Sequence, residues 1–327
     1  MKILVTGATG LVGNNCVRLL HDDHELFVLV RDGYDTRPLE GLDVTFCAGD
    51  LSKPETLDDA IPEVDAIIHS AGDTHIGKHP RPSQHIVNTV ATKAIAEVAR
   101  QRDARMVFVS SVDALPAGSV DIVVDEETKG DAKCSVGYVL TKREAEANLL
   151  EQIENGLDAV IVNPGFMLGP WDWKPSSGRM LLEVATKFTP FGPSGGFSVC
   201  DVREVAAAIC HIATNSTKHR RYILAGHNVT YVEAWRVFAK ASGGSPPIGA
   251  AGPIVLKSAG RWGDLMTKLS GREGDVNSGA IAMSMLFHYY DSSRAEQELG
   301  YRLRPIEESA GDTWNWFCEH GYAKSRG

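Results

Sequence analysis

Two side chains four residues apart, Tyr138 and Lys142, have the types and spacing that suit proton transfer. They lie in the segment GYVLTKREAEANLL, which predicts a helix over 138–155 with both side chains on one face. A phenol with its ordinary pKa of about 10 is a poor acid–base group at neutral pH. A neighbouring ammonium group favours the phenolate and lowers that pKa. The pair could therefore give a proton to a carbonyl oxygen, or take one from an alcohol, while a bound cofactor carries hydride.

A hydroxyl group is expected near this pair, where the preceding strand ends. The candidate strand RMVFVSS (105–111) closes on Ser110 and Ser111. A hydroxyl at this position could bind the substrate oxygen and align it for hydride transfer. We choose Ser111 for this role, since Ser110 is open to a structural one in which its hydroxyl satisfies backbone groups at the strand end.

A run of glycines near the start of the sequence indicates a binding site for an anion. Gly7, Gly10 and Gly13 lie in TGATGLVG, between the candidate strand KILVTG (2–7) and a candidate helix over 11–22. The first amide groups of a helix bind anions, and glycines before them let a pyrophosphate approach the backbone. With a strand before it and a helix after it, the pattern predicts a bound dinucleotide rather than an ordinary tight turn.

The end of the second candidate strand, ELFVLVR (25–31), bears on which dinucleotide binds. An acidic residue there would bind the ribose 2′-hydroxyl of NAD, whereas a cation would accept the 2′-phosphate of NADP. Arg31 occupies the position, Asp32 follows it, and Arg37 could assist. We therefore favour NADP(H). NAD(H) stays open, because Arg31 could simply be a solvated charge at a strand end.

Two more strand ends are interpreted as parts of the same site. Asp50 closes DVTFCAGD (43–50), where its carboxylate could accept a hydrogen bond from the adenine amino group or cap the next helix, although Ser52 is better placed as a cap. The small residues of HSAG (69–72) would leave room for the ribose. We interpret His69 as a structural histidine at its strand end.

Alternating strands and helices predict the fold that positions these groups. Near-continuous Val- and Ile-rich runs alternate with amphipathic stretches, which is typical of a parallel, doubly wound α/β sheet covered on both faces. The sequence therefore predicts a Rossmann fold. The candidate strands are 2–7, 25–31, 43–50, 64–72, 105–111 and 158–165, and the candidate helices are 11–22, 54–61, 84–102 and 138–155.

After about residue 170 the sequence loses this regularity. Loops rich in Gly, Pro, Ser and Trp, such as GPWDWKPSSG, precede shorter candidate helices and a candidate strand over 220–225. We predict an NADP-binding Rossmann domain over 1–169 and a smaller, less regular substrate lobe over 170–327. Parts of this lobe, about 200–225 and 286–292, are predicted to return to the Rossmann domain. The candidate helices of this half are 201–214, 230–241 and 254–270.

The composition narrows the classes of partner. The 327 residues are 43% hydrophobic and 23% charged, which is ordinary for a soluble globular protein. A formal net charge of −9 argues against nucleic acid or an anionic membrane as the main partner, since both select basic surfaces. No run approaches the roughly 18 apolar residues of a membrane span, and no leader-like segment precedes the first strand. We therefore expect a cytoplasmic protein with a small-molecule substrate.

The cysteines are dispersed and form neither a CxxC pair nor a cluster with metal-ligand spacing. Such thiols suit a reducing compartment better than a disulfide scaffold, and we expect no metal site. The six cysteines are Cys16, Cys47, Cys134, Cys200, Cys210 and Cys318.

As a set, these motifs resemble the extended short-chain dehydrogenase/reductase family. They are TGxxGxxG at the N-terminus, a serine at a strand end (Ser111), YxxxK from Tyr138 to Lys142, and NPG at the end of the sixth strand (163–165). The resemblance spans essentially the whole chain. It includes VNTVATKAIAEVA (87–99), whose Asn88 is similar to a structural asparagine of the family, and a tail over 291–317. Within the family, VRDG, SSVDAL and the segment 163–181 resemble the dihydroflavonol-reductase-like branch.

The resemblance implies roles for individual positions. It makes Ser111, Tyr138 and Lys142 catalytic. The positions implied around the adenosine and pyrophosphate are Gly7, Thr9, Gly10, Leu11, Val12, Arg31, Asp50, Leu51, Ala71 and Gly72. Those implied near the reactive end of the cofactor are Val109, Tyr138, Lys142, Pro164, Gly165 and Met167. Those assigned to the substrate side are Asp73, Thr74, Val112, Phe166, Trp171, Trp173 and Lys174. For the two tryptophans, covering a hinge between the lobes is an equally open interpretation.

The resemblance implies an NADPH-dependent reductase, reversible as a dehydrogenase, that acts on a carbonyl group of a small organic molecule. A nucleotide-sugar epimerase or dehydrogenase with retained NAD is the main alternative. The epimerase stretch of Val-Tyr-Gly type and the dehydratase triplet Thr-Asp-Glu are both absent, and Asp113 alone does not replace the latter. A non-catalytic NADP-sensing protein is a third possibility. The family also implies a homodimer formed through helices at about 84–102 and 138–155.

Overall fold

A seven-stranded parallel sheet forms the centre of the computed structural model. The structure describes residues 1–79, 81–130, 136–271, 274 and 276–324, so that Cys134 lies outside the described residues. The strands of this sheet are β1 (Lys2–Thr6), β2 (Glu25–Val30), β3 (Thr45–Ala48), β4 (Ala66–His69), β5 (Arg105–Val109), β6 (Ala159–Pro164) and β10 (Arg221–Leu224).

The strand order is β10-β6-β5-β4-β1-β2-β3, and every neighbouring pair is parallel. The chain reverses its direction of travel across the sheet between β1 and β4, where Thr6 lies opposite His69. In open α/β sheets, ligands bind at the carboxyl ends of the strands beside such a switch point. This confirms the predicted doubly wound Rossmann fold.

Helices cover both faces of the sheet, which explains why its strands are apolar throughout. Ile3 and Val5 of β1 belong to one buried cluster, whereas Leu4 of the same strand belongs to a second cluster on the opposite face. Side chains alternate between faces along a strand, so both sets must be apolar when both faces are covered. The helices of this half are α1 (Leu11–Leu20), α2 (Leu57–Ala60), α3 (Pro82–His85), α4 (Ala91–Gln101), α5 (Gly137–Glu154) and α7 (Val202–Thr214).

Two of the predicted helices differ from expectation. The segment predicted over 54–61 is a 3₁₀ turn, Pro54–Thr56, followed by the short α2. The helix predicted over 84–102 begins at Pro82, and a π-helical turn at Ile86–Val90 joins α3 to α4. Proline suits a first helical position because its missing N–H group would have no partner there.

Most of the remaining elements form the lobe. Its strands are β7 (Phe166–Leu168), β8 (Phe191–Gly192), β9 (Gly196–Asp201), β11 (His227–Thr230), β12 (Gly249–Ala250) and β13 (Phe287–His288). Its helices are α6 (Gly178–Thr186), α8 (Tyr231–Ser242), α9 (Pro253–Ser270), α10 (Ser278–Ser284) and α12 (Ile306–Glu319). Helix α11 (Ser293–Leu299) instead packs on the large sheet, where Ala295 belongs to the same buried cluster as Ile3. Within the described residues, no helix combines the length and the apolar composition that a membrane span requires.

The two segments predicted to return to the Rossmann domain behave differently. Strand β10 does join the seven-stranded sheet, beside β6. The segment 286–292 instead contributes β13, which pairs with Gly196 and Phe197 at the start of β9 in the smaller sheet. Strand β7 pairs with the other end of β9, from Val199 onward, so β13 supplies the partner that the buried backbone at the start of β9 still needs.

The close approach of α1 to the first turn gives a test of this packing. A Cβ atom on Gly13 would lie 2.3 Å from the Gly7 carbonyl oxygen. We expect Gly13→Ala to lower the free energy of unfolding by about 1–3 kcal/mol, because backbone atoms must move apart. Urea denaturation measures the change.

Gly311→Ala is the matched control, since no atom lies within 4 Å of the Cβ position at this helical glycine. It should leave the free energy of unfolding unchanged or raise it by up to about 1 kcal/mol. Equal effects of the two substitutions would contradict the close contact at Gly13.

Candidate active site

Lys142 carries a buried side chain to the carboxyl end of β5. Only 4% of the residue is exposed, and Nζ donates a hydrogen bond to the Val109 carbonyl oxygen at 2.9 Å. Nζ also lies 4.9 Å from the centre of the Phe108 ring. Gly72, at the end of the neighbouring strand β4, is close enough that a Cβ there would approach Nζ to 3.5 Å. The ammonium group therefore lies at the strand ends, where a ligand would bind.

Tyr138, one helical turn before Lys142 on α5, keeps its proton in this environment, so the lowered pKa predicted from the neighbouring ammonium group is wrong for this structure. Burial raises the pKa of its phenol, the charge of Asp113 raises it further, and a hydrogen bond with Ser111 acts in the opposite direction. Burial lowers the pKa of Lys142 to about 8, against the charge of Glu146. The site thus presents a neutral phenol, which can donate a proton, beside an amine whose pKa lies close to neutral pH.

Ser111 is held in an interaction that the sequence did not indicate. Its hydroxyl accepts a hydrogen bond from the Asp113 amide at 3.2 Å and donates one to Asp113 Oδ2, also at 3.2 Å. The other carboxylate oxygen lies 3.2 Å from Nδ1 of His288 in β13. Burial raises the pKa of Asp113, while His288 and Ser111 oppose the rise. His288 lies in the distant lobe segment, and no local motif marks it.

A buried polar network supports the same serine from the side of β6. The Asn163 amide donates to the Ser111 carbonyl oxygen at 2.8 Å and to Glu146 Oε1 at 2.7 Å. Arg221 of β10 donates to Glu146 Oε2 and to Asn163 Oδ1, each at 2.8 Å. The network connects α5, β6 and β10, and it fixes the backbone that carries the Ser111 hydroxyl.

Asn88 fixes the backbone that follows β4, the neighbouring strand. Its amide donates to the Asp73 carbonyl oxygen at 2.9 Å, and its Oδ1 accepts from the Asp73 amide at 2.7 Å. The same amide donates to Thr141 of α5. This is the structural role that the resemblance implied for Asn88, and it holds Asp73 beside the site while Thr74 is exposed.

His69 is also structural. Its two ring nitrogens lie 2.7 Å from Thr6 Oγ1 and 2.9 Å from Thr92 Oγ1. Burial, followed by the charge of Lys142, lowers its pKa to about 3. The ring is therefore neutral and joins β1 and β4 to α4.

The glycine turn fits a dinucleotide. Gly7 has a positive φ of 74°, and a Cβ there would lie 2.7 Å from the Ala71 amide nitrogen and 2.8 Å from Ser70 Oγ. Side chains are therefore excluded where β1, β4 and α1 converge. Gly10 caps α1 without a side-chain hydrogen bond, and no acidic residue lies in the first turn of the helix. The first amides of α1 are thus available to an anion such as a pyrophosphate.

The residues assigned to the adenosine end of the cofactor lie just after β2 and β3, the strands beyond β1 in the sheet. Arg31 is exposed directly after β2. Hydrogen bonds from Ser52 lower the pKa of Asp50 after β3, and the Arg31 charge adds to this. Arg37 is held by Asp35 through Nη2–Oδ2 at 2.7 Å and Nε–Oδ1 at 3.0 Å. Of the two arginines, Arg31 is therefore the better placed for a phosphate.

Several predicted positions share the same edge of the sheet. Val109 ends β5, Pro164 ends β6, and Gly165 donates its amide to Leu224 of β10. Val112 is buried in a small apolar cluster beside Ser111. Of the other positions assigned to the cofactor, Thr9, Leu11 and Val12 lie at the first turn, Leu51 and Ala71 follow β3 and β4, and Met167 lies within β7.

Phe166 belongs to an aromatic wall that the sequence predicted only in part. Its ring contacts Phe197 edge-on, with 4.8 Å between centroids, and Phe197 stacks on Tyr231 at 4.3 Å. Burial raises the pKa of Tyr231, and so does the charge of Asp113, which lies near it. Phe197 and Tyr231 come from β9 and α8 of the lobe, so their proximity depends on the packing of the lobe.

Trp171 and Trp173 occupy a different place from the predicted substrate side. The Arg18 guanidinium of α1 lies 3.3 Å from the centre of the Trp171 ring, and Trp173 packs edge-on against Trp316 of α12 at 5.2 Å. The side-chain amide of Asn15 donates a hydrogen bond to the Pro170 carbonyl oxygen at 3.1 Å, so the chain before Trp171 lies against α1. Trp171 therefore contacts α1 while Trp173 packs on α12, which agrees with the alternative interpretation that they cover a hinge between the lobes. Lys174 is exposed near Asp35 rather than near Tyr138.

Comparison with known proteins decides the family. Residues 3–225, which include the glycine turn, the strand ends and α5, match the model of the NAD dependent epimerase/dehydratase family. The chain belongs to this family. It is therefore a member of a family of NAD(P)-dependent oxidoreductases that act on small molecules, as the resemblance to extended short-chain dehydrogenases/reductases implied.

The relatives that the chain matches include reductases and a dehydratase. A candidate dihydroflavonol 4-reductase of Synechocystis sp. is 30% identical, over 98% of this chain and 96% of its own length. Sterol demethylase protein B of Methylococcus capsulatus is 29% identical, over 98% and 99% respectively. The crystal structure of the protein gox2253 superposes with a TM-score of 0.84 at 31% identity and covers 98% of this chain and 99% of that one.

Within the described part of the chain, no group of three or more His, Cys, Asp or Glu side chains is arranged to hold a metal ion.

The buried amine of Lys142 makes a prediction about stability and pH. Its pKa in the folded protein, about 8, lies below the value of 10.5 for an unburied lysine. The unfolded chain therefore binds more protons between these pH values, and the free energy of unfolding should rise with pH across that window. Relative to Lys142→Met, the wild-type protein should gain up to about 3 kcal/mol.

Urea denaturation at several pH values between neutrality and pH ~10 measures this gain. Lys93→Met, at an exposed position of α4, controls for the loss of one positive charge. A constant difference between wild type and Lys142→Met over the window would contradict the burial of this ammonium group.

Proposed function

We propose that the protein is an NADPH-dependent reductase of a carbonyl group on a small organic molecule, and that it works in reverse as an alcohol dehydrogenase. One observation carries the proposal. The buried Lys142 ammonium group is bound to the end of β5, beside a protonated Tyr138 and the Ser111 hydroxyl, at the edge of the sheet that the glycine turn also reaches.

Ser111, Tyr138 and Lys142 each have a separate role in the reaction at the substrate oxygen. Ser111 donates a hydrogen bond to the carbonyl oxygen and polarises it, in place of its bond to Asp113. Tyr138 gives its proton to the same oxygen as negative charge develops there. The positive charge of Lys142 stabilises the resulting phenolate. A nicotinamide dinucleotide, when bound, supplies or accepts the hydride.

Asp113 sets the resting state of this arrangement. Its negative charge opposes ionisation of Tyr138 and so keeps the proton on the phenol until it is transferred. Its backbone and side chain also orient the Ser111 hydroxyl. His288, 3.2 Å from the carboxylate, limits how far Asp113 can move. We assign Asp113 and His288 as positioning residues.

The preference for NADP(H) over NAD(H) rests on the end of β2. Arg31 is exposed there, whereas the nearby carboxylate of Asp50 is engaged by Ser52. Arg37 is engaged by Asp35. A 2′-phosphate would find the Arg31 guanidinium at this position, and an NAD-selecting acid is absent from it.

The aromatic wall supports an organic substrate with apolar surface. The half-buried ring of Tyr231 lies near Asp113 and stacks on the buried Phe197, against which half-buried Phe166 packs edge-on. The names of two relatives refer to a dihydroflavonol and to a sterol, which agrees with such a substrate. Apolar and aromatic linings of this kind bind ligands through buried area, while a few polar groups fix orientation.

We also propose that two copies associate through α4 and α5. Large apolar side chains are exposed on or next to these neighbouring helices, namely Val90, Leu140 and Leu150. Exposed apolar surface on adjacent helices suits an isologous contact between identical chains.

Removal of the Tyr138 hydroxyl tests the chemistry. We expect Tyr138→Phe to reduce turnover of a carbonyl substrate by about 100-fold or more, since a positioned proton donor contributes about that factor. The dissociation constant for NADPH should change by less than about twofold. A panel of aldehydes and ketones, followed by NADPH absorbance, measures turnover.

Tyr222→Phe is the control, because this hydroxyl donates to Glu298 and not to the site. It should retain turnover. Normal turnover of Tyr138→Phe on a substrate that the wild type reduces would refute the catalytic assignment.

Replacement of Arg31 tests the choice of dinucleotide. We expect Arg31→Ala to weaken NADPH binding by about tenfold or more, because a charge-assisted contact to a phosphate is lost, and to change NADH binding little. Calorimetric titration with both dinucleotides measures the ratio. Arg37→Ala, whose guanidinium is paired with Asp35, serves as the control. Equal losses for NADPH and NADH in Arg31→Ala would show that Arg31 does not bind a 2′-phosphate.

A further inference from the structure

Helix α9 attaches to the protein through one face only. Leu256 and Gly260 are its buried residues. Gly260 lies against Ser278 and Ile281 of α10, and Gly263 is so close to Val276 that a Cβ there would meet its carbonyl oxygen. The helix therefore rests on α10 along a stripe of small residues, and its opposite face points away from the protein.

That opposite face carries large apolar side chains. Each of the six is between 44% and 82% exposed. Successive positions differ by one, seven, three, one and three residues, which places all six within an arc of about 120° on one side of the helix. The six are Ile254, Val255, Trp262, Leu265, Met266 and Leu269. A contiguous apolar surface of this kind on a soluble fold marks a docking site.

Positive charges border the apolar face along one edge. Lys257, Arg261 and Lys268 are spaced by four and seven residues and so form one stripe. The carboxylate of Asp264 is turned toward the protein, where it accepts a hydrogen bond from the Ser278 amide at 2.9 Å and pairs with Lys78 at 3.1 Å. The outward surface of α9 is thus apolar and cationic, on a chain whose formal net charge is −9.

The charge of the face favours an anionic lipid surface as the occupant. Lys257, Arg261 and Lys268 are all exposed beside the apolar side chains. An anionic bilayer accepts apolar side chains at its acyl boundary and cations among its headgroups, so one surface meets both features of the helix.

We propose that α9 is an interfacial helix that docks the protein on an anionic lipid bilayer. The apolar face enters the headgroup region, with Trp262 at its centre, and the stripe of Lys257, Arg261 and Lys268 contacts anionic headgroups through long side chains. The helix lies in the plane of the bilayer and does not cross it. This departs from the expectation, drawn from the net charge, of no membrane partner.

The docked helix would lie beside the candidate active site. The Asn277 amide, just before α10, donates to the Ile76 carbonyl oxygen at 3.0 Å. Met283 of α10 packs with Val136 and Val139, which flank Tyr138. If the proposed function is correct, a lipophilic carbonyl compound in the bilayer would enter the site close to the surface that holds it.

Flotation with lipid vesicles tests the proposal without substrate or cofactor. The wild-type chain should float with vesicles of phosphatidylcholine mixed with phosphatidylglycerol, more weakly at high salt, and not with phosphatidylcholine alone. Ile254→Ser/Leu269→Ser should weaken binding by about tenfold or more, and Lys257→Glu/Arg261→Glu by a similar factor on the anionic vesicles. Leu19→Ser/Phe46→Ser, which removes exposed apolar side chains outside α9, should bind as the wild type does.

Three results would overturn the proposal. They are no flotation of the wild type, equal flotation with both kinds of vesicle, or unchanged binding by both α9 variants. Light scattering after gel filtration adds a fourth: if Ile254→Ser/Leu269→Ser splits a dimer, the face is an interface between copies. Vesicle binding is independent of turnover, so these outcomes leave the proposed reductase chemistry separately testable.

Discussion

The rest of the site depends on the burial of one positive charge, the ammonium group of Lys142. A buried ion is costly unless polar partners replace its water, and here the end of β5 provides the Val109 carbonyl oxygen. One turn further along α5, Glu146 supplies the opposing charge and is itself bound by Asn163 and Arg221. The polar contacts that make this burial tolerable are therefore the ones that fix Ser111. Stability and the proposed chemistry rely on the same side chains.

The second constraint is the absence of side chains where β1, β4 and α1 converge. Gly7 and Gly13 let the helix approach within contact of the strand end, and Ser70 fills the space that a larger residue would need. The result is a helix whose first amides are free of side-chain caps and face the same edge of the sheet as Lys142. Geometry alone thus brings the first amides of α1 and the side chains of Tyr138 and Lys142 to the same edge of the sheet.

The sequence was informative where structure is decided locally. The strands of the large sheet, the glycine turn and the Tyr138–Lys142 spacing follow from periodicity and from short motifs, and the structure has each of them. Sequence reasoning failed where the lobe folds back on the sheet. His288 and Tyr231 approach Asp113 only through long-range pairing and packing, and Trp171 is directed to α1 by a contact between Asn15 and the chain at Pro170. Local sequence patterns carry no information about such contacts.

Diffraction from crystals grown with NADP⁺ tests the central claim most directly, because it requires no knowledge of the substrate. We expect density for a dinucleotide that runs from the turn at Gly7–Gly13 to Tyr138 and Lys142, with the 2′-phosphate at Arg31. Density for the dinucleotide at another place, or with its nicotinamide directed away from Tyr138, would contradict the account.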